Sequence, residues 1–252
     1  MRAVEFGDRV VIVGQTGMGK TTLGKFLVGM LQPARTIIID PKADYDSGIQ
    51  PTSDIGVFEQ QLRGPVAHFV PSAFDWDYLE EMCMVLWHTP GPYICVIDEP
   101  AEISKPNRVP TGARLLATQG RKERKMLMVF PQRLAECHPS LRSQAEHYFI
   151  LVPPPIALDL QTLAGHIGIE ATVLKGKLEQ LHEQHGLYSH LWFVRTGERG
   201  PELRHCGPLE LTGSDTGALG PAHQDDDALA SPTDAGSEDL DEPERLDREG
   251  VS

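Results

Sequence analysis

Gly14, Gly19, Lys20 and Thr21 stand in the stretch GQTGMGKTT and satisfy the spacing GxxxxGK[ST]. The stretch lies between a β-branched run and a helix-like segment. Glycines at close intervals let successive backbone N–H groups turn inward around one anion, so this pattern predicts a phosphate-binding loop. The residues expected to wrap the phosphates are Gly14, Gln15, Thr16, Gly17, Met18, Gly19, Lys20, Thr21 and Thr22. Lys20 would reach the β- and γ-phosphates of ATP and the Thr21 hydroxyl would ligate Mg2+. The positive end of the following helix would add to the attraction. The plain alternative is a glycine-rich turn with an accidental lysine.

A nucleotide loop needs a metal partner, and YICVIDEP supplies an apolar strand ending in Asp98 and Glu99. Asp98 would hold the magnesium through water. Glu99 would orient and deprotonate an attacking water, the requirement that separates hydrolysis from passive binding. Gln132, in MLMVFPQRL, also follows a strand and could sense the γ-phosphate or simply be a polar strand end. Asp40, in TIIIDPKADY, could join the site or cap a turn before Pro41.

These residues need elements to position them. Apolar runs rich in Val, Ile and Phe recur at Arg9–Val13, Thr36–Ile39, Val66–Val70, Tyr93–Ile97, Met126–Phe130 and Tyr148–Val152, as in buried parallel strands. Helical spacing marks Lys20–Leu31, Trp76–Trp87, Ala157–Ile167 and Glu170–His185, while SHLWFVRTG reads as an additional strand on a sheet edge. Alternating strands and helices predict an α/β fold with a mainly parallel central sheet flanked by helices. In such a sheet the residues just after the strands gather on one edge, where Gly14–Thr21, Asp40, Asp98, Glu99 and Gln132 would meet.

The chain has 252 residues, is 40% hydrophobic and carries a net charge of −13. Residues 213–252 hold 12 Asp/Glu against 2 Arg, contributing −10 and leaving −3 for the rest. Poor in large apolar side chains, that tail is expected to be disordered, with residues 1–212 forming the globular domain. Near neutrality there leaves room for a local basic surface. The scattered cysteines, Cys83, Cys95, Cys137 and Cys206, read as reduced thiols in a cytoplasmic protein. The sequence shows neither a leader nor an apolar run of the roughly 18 residues a membrane span requires. The HEQH of His182–His185 reads as an exposed helix end rather than a zinc site.

Taken in order, GQTGMGKTT, TIIIDPKADY, YICVIDEP, QGRKERKMLMVFPQRL and HPSLRSQAEHYFIL resemble the HerA/FtsK superfamily of P-loop ATPases over about Val10–Arg195. The resemblance implies a RecA-like P-loop NTPase fold of the ASCE type and hydrolysis of ATP with Mg2+. It further implies a homo-oligomeric ring, typically a hexamer, translocating double-stranded DNA without regard to sequence. Among members, the small genome-packaging ATPases of membrane-containing viruses are nearest in layout, which points to packaging into a preformed capsid in the host cytoplasm or virion, with capsid vertex proteins as partners. FPQRL stands where the family commonly has a TQRP-like string. Ring ATPases complete the site with a neighbour's arginine, and Arg121 matches the family's GRK position at a predicted helix end, with Arg124, Arg133 and Arg142 as competitors. Lys122, Arg124 and Lys125 could face DNA or form a solvated surface. The other functional readings are a conjugation or chromosome-transfer translocase, a P-loop kinase, and a nucleotide-gated adaptor whose acidic tail binds a basic partner.

Overall fold

The computed structural model describes residues 3–72, 75–152, 156–197 and 200–209. The acidic tail expected at 213–252 lies outside the described residues. Among those described, the chain runs β1 (Arg9–Val13), α1 (Lys20–Leu31), β2 (Thr36–Ile39), α2 (Ile55–Gln61), β3 (Val66–Phe69), α3 (Trp76–His88) and β4 (Tyr93–Asp98). It continues through α4 (Thr111–Gln119), β5 (Lys125–Phe130), α5 (Pro139–Arg142), β6 (His147–Leu151), α6 (Ala157–Ile167), α7 (Ala171–His185), β7 (His190–Gly197) and β8 (Gly200–Cys206). One sheet takes the order β3-β2-β4-β5-β1-β6-β7-β8. The pairs from β3 to β6 are parallel, while β6, β7 and β8 pair antiparallel.

Side-chain alternation along the strands divides the core between two faces. Val10, Ile12, Ile94, Val96, Met126 and Met128 point to the face covered by α1 through Leu23, Phe26 and Leu27. Val11, Val13, Cys95, Ile97, Leu127 and Val129 point to the other, packed by Phe58 of α2, Leu79 and Met82 of α3, Leu116 of α4 and Leu163 and Leu178 of α6 and α7. Both faces of the central strands are buried, which is why they read as continuous apolar runs. Packing on the helical side is close. A Cβ on Gly112 of α4 would stand 1.9 Å from the Cys83 carbonyl oxygen of α3.

Every strand and helix expected from the sequence is present, with ends shifted by a residue in some cases. The position of β7 is corrected. It is not an edge strand, because β8 folds back on it and takes the edge. GPELRHC has a single large apolar residue, Leu203, so it carries no alternation from which to read a strand. Cys83, Cys95, Cys137 and Cys206 are free thiols, as expected. Among the described residues, no helix is long and apolar enough to cross a membrane.

Candidate functional site

Strand order sets the site. β5 lies between β1 and β4, so the loop after β1 and the acids at the end of β4 face one another across the end of β5. Residues 14–19 form that loop, with Gly17 at φ 81° and Gly19 at φ 87°, left-handed conformations natural to glycine. Gly14 is close-packed for a different reason: a Cβ there would stand 2.9 Å from Leu151 Cβ. Lys20 opens α1 and is almost buried, donating from Nζ to the carbonyls of Gly14 at 2.8 Å and Gln15 at 3.3 Å. Gln15, Thr16, Gly17 and Thr22 are exposed, while Met18, Gly19 and Thr21 are half-buried. Burial lowers the pKa of Lys20, with Glu99 and then Asp98 pulling it back up and Lys42 lowering it further.

The Thr21 hydroxyl donates to Asp98 Oδ2 at 3.3 Å. Burial, then the charge of Asp40, raises the Asp98 pKa against Lys20 and Thr21. A hydroxyl and a carboxylate short of positive charge form a hard-oxygen pair that fits Mg2+. Among the described residues there is no group of three or more His, Cys, Asp or Glu able to hold a metal alone.

Glu99 is 6% exposed and sits at φ 53°, ψ 70°, left-handed for a residue that has a Cβ. Such conformations cost about 1–3 kcal/mol and persist where the surroundings over-determine them. Here β4 ends and Pro100 begins a 3-10 turn, and the bend turns the carboxylate toward the loop after β5. Glu99 Oε1 accepts from the Gln132 backbone N–H at 3.3 Å, and Oε2 lies 3.3 Å from Lys42 Nζ. It is the main chain of Gln132, not its side-chain amide, that meets the acid.

Asp40 is the turn cap. It is buried and accepts from Lys42 N at 3.1 Å and Tyr45 N at 2.6 Å, with His68 Nε2 at 3.7 Å, too far for a hydrogen bond. By holding this turn it aims Lys42 at Glu99. Lys42 went unnoticed in the sequence, although it lies two residues after Asp40 in TIIIDPKADY. Tyr188 and His190, which flank the loop from the far side, carried no sequence signal.

The arginines are not in this cluster. Arg121 lies in a 3-10 turn after α4, not within the helix, and its half-exposed side chain stands 3.5 Å from Glu146 at the start of β6, the opposite edge of the sheet. Arg124 lies over Phe6, Arg133 pairs with Glu136 at 2.7 Å, and Arg142 bonds the Cys137 carbonyl at 3.1 Å. Lys122 and Arg124 are exposed. The DNA-facing reading of Lys125 is corrected: it is buried, donates to the Trp87 carbonyl at 2.7 Å and pairs with Glu123. As the first residue of β5, it stabilises a strand end instead.

Fold and site together define a P-loop NTPase. The profile of the ABC transporter family matches residues 3–72, the strand–loop–helix unit with β2 and β3. A search of curated proteins finds no match. Among solved structures, the genome packaging NTPase B204 from Sulfolobus turreted icosahedral virus 2 is similar in its sulfate complex at TM-score 0.64 and 17% identity, covering 82% of this chain and 98% of that one. Its AMPPCP complex is similar at TM-score 0.61 and 17% identity, covering 81% and 99%. B204, the DNA-packaging ATPase from Sulfolobus turreted icosahedral virus, is similar at TM-score 0.56 and 17% identity, covering 82% and 100%. The chain thus shares its fold with these structures.

Proposed function

We propose that this chain is an ATP-hydrolysing motor that moves double-stranded DNA, in the setting of genome packaging into a preformed capsid. The observation that carries the reading is Glu99: a nearly buried carboxylate held in a left-handed conformation beside Asp98, Lys20 and Lys42. Backbone strain on an acid next to a phosphate loop supports the reading of Glu99 as a positioned general base.

In this reading the N–H groups of the loop and Lys20 hold the phosphates, with Lys20 exchanging the Gly14 and Gln15 carbonyls for phosphate oxygens. Thr21 and, through water, Asp98 would hold magnesium, whose charge would offset that of the phosphates. Glu99 takes a proton from the attacking water while Lys42 and the Gln132 N–H fix the orientation of its carboxylate. The Gln132 side chain is left to sense the γ-phosphate. Arg121, on the far edge of the sheet, cannot serve its own loop; a head-to-tail ring would carry that edge to a neighbour's γ-phosphate, where its charge stabilises the transition state. Exposed Lys122 and Arg124 beside it suit sequence-independent contact with DNA phosphates. The fold shared with proteins described as genome-packaging ATPases supports this choice over a kinase.

The test is phosphate release with and without linear duplex DNA of arbitrary sequence, alongside the mass in solution with ATP bound. Stimulation by DNA and an ATP-dependent oligomer are expected. A monomer whose turnover ignores DNA at every salt concentration overturns the motor reading.

A further inference from the structure

The helical face built by α4, α5 and the end of α6 gathers positive charge that no carboxylate among the described residues neutralises. Arg114 is exposed on α4, and its side chain has no hydrogen-bond or ion-pair partner among the described residues. Arg142, half-buried at the end of α5, donates from Nε to the Cys137 carbonyl at 3.1 Å and from NH1 to His166 Nε2 at 2.7 Å. Arg195 of β7 donates to the Ser143 carbonyl at 2.6 Å and the Tyr148 hydroxyl at 3.3 Å. All of these acceptors are neutral. Acids on adjoining elements are engaged elsewhere: Glu80 accepts from the Thr111 N–H, Glu136 pairs with Arg133, and Glu146 pairs with Arg9.

The histidines of this face register the imbalance. His138 Nδ1 accepts from the Ser140 N–H at 3.1 Å, so its Nε2 carries the proton and is a donor. Burial lowers the His138 pKa, and the charges of Arg142 and then Arg114 lower it further. His166 is pushed down to about 4 by burial and then by Arg142 and Arg195. No carboxylate counters either shift. An anion arriving at this face therefore meets only donors, guanidiniums and an imidazole N–H, whose charge nothing on the described surface offsets.

We propose that this face holds the acidic end of the same chain, with carboxylates of residues 225–227 and 238–249 set against Arg114, Arg142 and His138 Nε2. Residues 213–252 carry a net charge of −10, and Asp225, Asp226 and Asp227 are consecutive. The described chain leaves off at Leu209, packed with α1 on the opposite face of the sheet. At about 3.4 Å per residue a chain from Leu209 to Asp225 reaches up to about 50 Å, farther than the width of about 40 Å of a domain this size. The acids can therefore pass around the β8 edge. Tethering raises their effective concentration, which lets ion pairs that are individually weak in solvent hold together. Such docking requires neither nucleotide nor DNA, and any other polyanion that uses the face must displace the tail.

The experiment is a histidine C2-H NMR titration of the full-length chain and of a variant with the 12 Asp/Glu of residues 213–252 changed to Asn/Gln, which alters no described residue. Loss of one resonance in His138→Gln assigns His138. Its midpoint should lie about half a unit higher in the wild type than in the tail variant, because a nearby anion favours the imidazolium. The difference should disappear at about 1 M salt, where the screening length is about 3 Å. His88, exposed at the end of α3, should titrate alike in both chains. Arg114→Gln removes an exposed side chain with no partner to lose and should cut the difference at His138 by about half. Equal His138 midpoints in the two chains overturn the docking, and so does an equal shift at His88, which marks a diffuse field from the tail. A difference untouched by Arg114→Gln refutes this face as the seat of the acids. A His138 midpoint that ignores the tail but rises on addition of duplex DNA assigns the face to nucleic acid and likewise overturns the proposal.

Discussion

Replacing Glu99 with Gln tests the chemistry with little disturbance of the fold. Gln has the same length and branching, so it keeps the left-handed turn at φ 53°, ψ 70°, and its carbonyl oxygen can still accept from the Gln132 N–H at 3.3 Å. What is lost is the ion pair with Lys42, whose side chain is 44% exposed, so the stability cost should be about 0–1 kcal/mol. Loss of a general base costs about 10²–10⁴-fold in rate, or about 3–5 kcal/mol of barrier. Phosphate release at saturating ATP should therefore collapse while the thermal midpoint scarcely moves. Nucleotide affinity gives a further readout. Glu99 is the largest influence raising the depressed pKa of Lys20, so removing its charge lowers that pKa further. ATP binding by Glu99→Gln should then fail at a lower pH than in the wild type as the medium is made alkaline. Turnover within about threefold of wild type would refute the assignment of the base.

Gly112→Ala forces a methyl into the Cys83 carbonyl, a backbone contact with nothing flexible to yield. It should destabilise by about 1–3 kcal/mol, a fall in thermal midpoint of about 2–4 °C per kcal/mol. Lys125→Met should cost about 1–3 kcal/mol, because the Trp87 carbonyl loses its donor, and leave DNA affinity unchanged. Joint replacement of Lys122 and Arg124 by Ala should do the reverse, lowering the slope of log affinity against log salt by about 2 at constant stability. Asp40 has its pKa lowered below 3.8: burial pushes it up, and the neighbouring His68 and the Tyr45 and Lys42 N–H groups overcome that. A depressed carboxyl adds stability that is complete above the unfolded value and disappears as pH falls through the folded one. Melting curves from about pH 6 to about pH 2 should show a shallower acid limb for Asp40→Asn.

Much of the site was legible because its chemistry is local in sequence. Gly14 to Thr22 are consecutive, and Asp98 and Glu99 follow directly on a strand whose apolar run announces it. Burial on both faces makes that run continuous, so β4 and β5 could be read almost to the residue. Asp40 could be read either way until its carboxylate was seen to hold two backbone N–H groups of its own turn. Lys125 looked like part of a basic surface because charge counted along a chain does not reveal which side chain turns inward; only the Trp87 carbonyl and Glu123 do.

The amino-acid order alone determined the alternation of strands and helices and the phosphate loop, since periodicity and glycine spacing act over a few residues. Tertiary structure decided which distant segments meet. It placed β5 between β1 and β4, turned Lys42 onto Glu99, set Arg121 on the opposite edge from the loop, and added β8 beyond β7. It also brought Tyr188 and His190 against Gly19, across more than half the chain. Such meetings follow from strand order and from the packing of two sheet faces, which depend on the whole chain at once and leave no mark in any short window of sequence.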